Sequence, residues 1–226
     1  MTKLFLDIES APNMEKEEFF AAKHDIESNT LTNRTDPNRY WKYAAGALNP
    51  YEGKVIFIAY KISPYGYIRH LKEWEDGEEV ILEKLYNVIC KVKQERLEFV
   101  GHNICGFDLP FLYGRMLHHK IDTPKRLYYY MQKTASMDFL QMHLPLNDFH
   151  IKGLRHDALA RAYGLPIKET TGDVEYLHYF RGEFEKIVQY SEREFIYADL
   201  YNKMIKDGMV SKKVLMNAIK ENDISE

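Results

Sequence analysis

Residues 3–9 read KLFLDIE, an apolar run carrying acids at positions 7 and 9. On a strand, residues two apart face the same way. Asp7 and Glu9 therefore share one face, and the flanking Leu4, Phe5, Leu6 and Ile8 mark the strand as interior. Two unpaired carboxylates on a buried face repel each other and are costly to desolvate. A divalent cation between them removes both costs, and oxygen donors suit Mg²⁺ or Mn²⁺. The competing reading is a strand end with both acids in water, because Asp-x-Glu is a short and common pattern.

The pattern around this strand predicts an α/β chain. Lys54–Ile62 (KVIFIAYKI) is the clearest strand. Ser63-Pro64-Tyr65-Gly66 reads as a turn, and Tyr67–Trp74 as the returning strand of a hairpin. From Glu78 to Glu95 apolar residues recur at helical spacing. Leu97–His102 reads as a further strand, and Asp108–His119 as a helix with Pro110 in its first turn. Helices are expected over Leu154–Tyr163, Glu183–Lys206 and Lys212–Lys220. A hairpin on one side and helix-linked strands on the other make a mixed sheet. Residues 13–50 are polar and interrupt the domain, so they read as an insertion. The expected organisation is a domain over 1–208 and a helical tail over 209–226.

At 226 residues the chain is long enough for a sizeable core. A net charge of −3 and a pI of about 6.3 argue against a nucleic-acid coat protein, which would be basic overall. They leave room for a local basic groove, from Lys120, Lys125 and Arg126 or from Lys152, Arg155 and Arg161. Cys90 and Cys105 lie in segments that read as buried and form neither a disulfide framework nor zinc spacing. The chain opens on a strand-like run with no leader pattern and holds no membrane-length apolar stretch, so a cytoplasmic protein is expected.

Two further acids join the first pair. In GHNICGFDLPFL (101–112), Asp108 sits where a helix begins. There it is either a simple N-cap or a carboxylate offered to a metal. Asn103 and Phe107 would flank the same cleft, one hydrogen-bonding a terminal nucleotide and the other stacking on its base. At about 100° per residue, Ile187, Tyr190, Glu194, Tyr197, Ala198, Tyr201 and Ile205 share one stripe of a single helix. Glu194 is then an acid on an apolar face, one turn after Tyr190, whereas Asp199 points roughly 140° away. A buried Glu paired with a cation is the alternative. Arg126–Tyr130 mixes charge and aromatics, as a single-strand platform or a packed edge would. Asp138 reads as either a support for the site or a helix cap. Trp41 and Trp74 read as core or cover.

FLDIES, GHNICGFDLPFL and YSERE resemble, in order and approximate spacing, the three exonuclease motifs of the DEDD superfamily. The tyrosine before the last acid resembles the DEDDy branch. WKYAAGALNPYEGKVIFIAYK (41–61), SMDFLQM (136–142) and GLRHDALARAYGLP (153–166) resemble stand-alone exonucleases related to the family B DNA polymerase proofreading domain. The resemblance implies a ribonuclease H-like mixed β-sheet flanked by helices. It also implies 3′→5′ removal of nucleotides from single-stranded or frayed DNA. Two divalent cations, Mg²⁺ or Mn²⁺, would be held by Asp7, Glu9, Asp108 and Glu194, with Tyr190 orienting the attacking water. Asn103, Phe107 and Asp138 would contact substrate.

In one respect the chain departs from that pattern, which is Tyr-x-x-x-Asp where this sequence has Tyr190-x-x-x-Glu194. The extra methylene changes ligand reach, and octahedral Mg²⁺ is geometrically demanding. RNA as substrate, or a catalytically weak binding module acting with a replication or repair partner, are the alternatives.

Overall fold

A computed structural model describes residues 1–20, 46–92, 96–166 and 175–224, with the side chains of Glu194 and residues 222–224 outside that description. Most of the expected insertion, including Trp41, therefore lies outside the described residues. Five strands form one mixed sheet in the order β3-β2-β1-β4-β5: β1 (Thr2–Pro12), β2 (Gly53–Ile62), β3 (Arg69–Lys72), β4 (Leu97–Gly101) and β5 (Ala135–Asp138). The central β1 is antiparallel to β2 and parallel to β4. The hairpin-plus-crossover reading gives this mixed sheet. The returning strand is shorter than expected, because Glu73–Asp76 turns into a helix (α1).

Alternation along β1 builds two cores. Leu4, Leu6 and Ile8 face one side with Val55 and Ile58 of β2. Helices α2 (Glu78–Cys90), α3 (Asp108–His118) and α4 (Pro124–Gln132) cover that side. Phe5 faces the other side with Phe57, Ala59 and Val100. That side is covered by α5 (Phe139–His143), α6 (His156–Ala162), α7 (Glu175–Arg181), α8 (Phe184–Glu194), α9 (Tyr197–Asp207) and α10 (Lys212–Ile224). Helix α10, expected as a tail, buries Leu215, Ala218 and Ile219 in this core and packs on α6. Trp74 is cover, stacked between Phe57 and Phe184.

One helix expectation fails for a local reason. The single helix over 183–206 is two helices, α8 and α9, separated by Phe195–Ile196. Beyond that break the apolar stripe changes phase, so Leu200 and Met204 are buried and Ile205 is exposed. Arg126–Tyr130 lies in α4, capped by the Thr123 side chain, with Leu127 in the core. Among the cysteines, Cys105 is exposed and Cys90 is only half-buried. Among the described residues no helix is long and apolar enough to cross a membrane.

Candidate active site

β1 outruns its parallel neighbour. Its pairing with β4 ends at Phe5 and Val100, while its pairing with β2 continues to Pro12. Beyond that point a cleft of about 250 Å³ opens, floored by Asp7, Ile8 and Glu9. Gly101 closes β4 where a side chain would press on the Leu6 carbonyl and on Ile104, both 3.0 Å from a Cβ placed there. The backbone N–H of Ile8, left without a strand on that side, donates to Asp108 Oδ1 at 3.1 Å. Asp108 is thus the first residue of α3 but not its cap: Phe107 occupies that position and its side chain makes no capping bond.

Asp7, Glu9, Asn103, Phe107, Asp108 and Tyr190 all line this one cleft. The three acids come from a strand and a helix start, as their residue patterns predict. Glu194 ends α8, four residues beyond Tyr190, and its side chain lies outside the described residues. Asp199 is exposed, on the second of the two helices.

Asp138 does not line the cleft. Its Oδ1 accepts from the backbone N–H groups of Asn103 (2.9 Å), Leu140 (3.0 Å) and Gln141 (3.4 Å), and its Oδ2 from Cys105 (3.0 Å). It is the cap of α5 and the anchor of the 103–105 loop, so it supports Asn103 and does not take the expected place of a substrate contact. Asn103 itself sits at φ +56°, a left-handed conformation that Asn tolerates. Gly106 leaves room for its side chain, since a Cβ there would lie 2.3 Å from Asn103 Oδ1.

Four polar residues at the site carry no role in the sequence reading. Ser191 Oγ stands 3.5 Å from Asp7 Oδ2, and the Tyr197 hydroxyl 3.4 Å from Asp7 Oδ1. His102 and His156 line the cleft, and the His156 ring meets Tyr197 edge-on at 5.0 Å. His102 lies inside the GHN run and was within reach of the sequence. His156 arrives only because α6 folds over the cleft.

The electrostatics follow from burial. Burial, and then the neighbouring Asp7 carboxylate, push the Asp108 carboxyl well above its ordinary range, against the Ile8 N–H bond. Tyr190 is pushed up by burial and by Glu9, and Tyr197 by burial and by Asp7, so both phenols remain O–H donors. Among the described residues no Lys or Arg lines the cleft. Hard oxygen donors that repel one another, with no described Lys or Arg among them, fit a divalent cation. Among the described residues no three acidic, His or Cys groups already close on one point as a cation shell. Asp7, Glu9 and Asp108, with Glu194 as the fourth acid, are the residues that would hold it. A larger hollow of about 490 Å³ is lined by Lys54 and Tyr179, which are satisfied by each other and by Glu73, and by Glu15 and Glu18, which join no cation-holding group among the described residues.

Residues 55–201 match a family described as predicted 3′-5′ exonucleases related to the exonuclease domain of PolB. The chain belongs to this exonuclease family. The match takes in Asn103, Phe107, Asp108, Tyr190 and Glu194, while β1 with Asp7 and Glu9 precedes it. The fold is also similar to a family B DNA polymerase from the hyperthermophilic archaeon Pyrobaculum calidifontis, with TM-score 0.54 and 16% identity. That likeness covers 95% of this chain and 27% of the polymerase chain. It concerns the fold alone, a ribonuclease H-like sheet flanked by helices. No curated protein sequence matches the chain.

Proposed function

We propose that this exonuclease hydrolyses the last phosphodiester of single-stranded or frayed DNA, working from the 3′ end. The observation that carries the reading is the meeting of Asp7, Glu9, Asp108 and Tyr190 in one cleft that no Lys or Arg lines among the described residues. Asp7, Glu9, Asp108 and Glu194 would hold two divalent cations, Mg²⁺ or Mn²⁺. When bound, such ions supply an activated water and stabilise the leaving oxygen.

The chain's own groups do the rest. Tyr190, kept protonated by burial and by Glu9, can donate its O–H to the attacking water and fix its direction. Asn103, held on the Asp138 carboxylate, is placed to hydrogen-bond the terminal nucleotide. The half-buried Phe107 ring, braced by Phe111 at 5.4 Å, offers a face to its base.

The test is a time course on 5′-labelled single-stranded DNA with Mg²⁺ or Mn²⁺, beside Glu194→Ala, Glu194→Asp and Asp199→Ala. A descending ladder lost in Glu194→Ala and kept in Asp199→Ala supports the reading and Glu194, not Asp199, as the fourth acid. Folded protein that releases nothing with either metal rejects it. A matched RNA strand in the same series decides the sugar preference, which depends on a contact to the 2′-OH.

A further inference from the structure

The loop between the 3₁₀ turn Leu144–Asn147 and α6 holds two successive non-glycine residues in the left-handed region, Asp148 at φ +50° and Phe149 at φ +62°. A bulky side chain is a poor occupant there, where Gly or Asn would carry little or no strain. The loop is nonetheless firmly built. Phe149 N–H donates to the Leu144 carbonyl (2.8 Å) and His150 N–H to the Asn147 carbonyl (2.9 Å). The Asn147 amide donates to the carbonyls of His150 (2.5 Å) and Lys152 (3.0 Å), and Lys212 pairs with Asp148.

This braced, strained turn holds Phe149 out in water at 74% exposure, with Ile151 at 65%. The left-handed Asp148 closes the 3₁₀ turn as a helix cap, but a second left-handed residue that is bulky and exposed is an outlier of the kind from which a functional role can be inferred. Two of its exposed neighbours are cationic, Lys152 and Arg155. The one acid of the turn, Asp148, is matched by Lys212. Seven residues on, His156 lines the cleft, so the ring lies within about 25 Å of it along the chain. One ring and its flanking cations are far smaller than the roughly 800 Å² per partner of a stable protein interface. A ring beside cations is the chemistry that holds an unpaired base and its phosphates.

We propose that Phe149 is a stacking platform for an unpaired base of the strand whose 3′ end lies in the cleft, with Lys152 and Arg155 meeting its phosphates. The proposal rests on the exonuclease reading for the position of that 3′ end, but its test needs no turnover.

The probes are a labelled single-stranded DNA of about 12 nucleotides and a dinucleotide, which carries only the terminal phosphodiester. Binding is measured by fluorescence anisotropy in EDTA, with wild type, Phe149→Gly and Phe149→Trp. Phe149→Gly should raise the melting temperature by relieving the positive φ. It should also weaken binding of the longer strand roughly five- to hundredfold, the range of one base–aromatic stack. Dinucleotide binding should not change, and Phe149→Trp should keep the longer strand's affinity. Unchanged affinity of Phe149→Gly for the longer strand overturns the proposal. So does wild-type protein that binds both probes equally. Phe149-dependent binding without nucleotide release under turnover conditions would reject hydrolysis and leave the platform standing.

Discussion

Asp108 and Ile8, 100 residues apart in the chain, are joined by a backbone-to-carboxylate hydrogen bond that fills a gap in the central strand's ladder. An amide can accept the same bond. Asp108→Asn should therefore fold and melt at or above the wild-type temperature, because it removes a buried charge that burial and Asp7 both oppose. Nuclease activity should fall at least about a hundredfold, beyond the usual effect of losing a mere supporting contact to a metal ligand. Thermal melts with and without Mn²⁺ check this: added metal should stabilise wild type and do so less in the variant. An equal metal-induced shift in both would count against Asp108 as a ligand.

Asp138 holds four backbone N–H groups on one carboxylate. Asp138→Ala leaves them without that acceptor and should destabilise the protein by about 2–4 kcal/mol, a lost cap plus buried unsatisfied donors. Urea unfolding measures the loss. With the protein still folded at low temperature, KM should rise more than kcat falls, since the loop carrying Asn103 loosens while the acids on β1 keep their places.

On the opposite face, Glu78 and Arg115 form a buried ion pair, with Nη2–Oε2 at 2.6 Å and Nε–Oε1 at 2.8 Å. Val55 N–H and His119 also meet Glu78, and Arg115 Nη1 reaches the Pro50 carbonyl. Arg115→Leu leaves the carboxylate without its main partner and should cost about 3–5 kcal/mol in chemical denaturation. Burial alone would raise the Glu78 pKa, but Arg115, Val55 and His119 outweigh it and hold it below the ordinary value of 4.5. Its contribution to stability is therefore present above pH 4.5 and is lost as pH falls through the lower folded value.

His143 has no solvent exposure, and burial holds its pKa below 6.5. Nδ1 lies 2.6 Å from the Phe139 carbonyl, which can only accept, so Nδ1 carries the proton. Nε2 then accepts from the Tyr163 hydroxyl at 2.8 Å, whose oxygen takes the Val210 N–H. Below pH 6.5 the unfolded chain binds a proton that the folded chain refuses, so stability falls as pH drops from 6.5 toward the folded value. Denaturation midpoints over that window should decline with acid, and the slope should flatten in His143→Gln.

Much of this was legible in the residues. KLFLDIE placed Asp7 and Glu9 on one strand face, and GHNICGFD placed Asp108 at a helix start, because strand alternation and helix starts are local signals. The α8–α9 break was not legible. Tyr190 through Ile205 keeps helical periodicity in sequence, and no Gly or Pro marks the turn at Phe195–Ile196. Strand β5 and helix α4 were missed for a related reason. ASMD is too short to show alternation, and its strand character comes from pairing with β4. Asp138 looked like a site acid because composition cannot distinguish a carboxylate facing a cleft from one surrounded by backbone N–H groups.

The break at Phe195–Ile196 also sets how this region tolerates length changes. Glu194 closes one rod and Tyr197 opens the next, so their relative bearing is fixed by a two-residue joint and not by helical pitch. A residue added at the joint would reposition Tyr197 and leave Tyr190 and Glu194 in step. The same residue added between Tyr190 and Glu194 would swing the acid by about 100° around its axis. Insertions and deletions within this segment should therefore be confined to the joint in any descendant that keeps its activity.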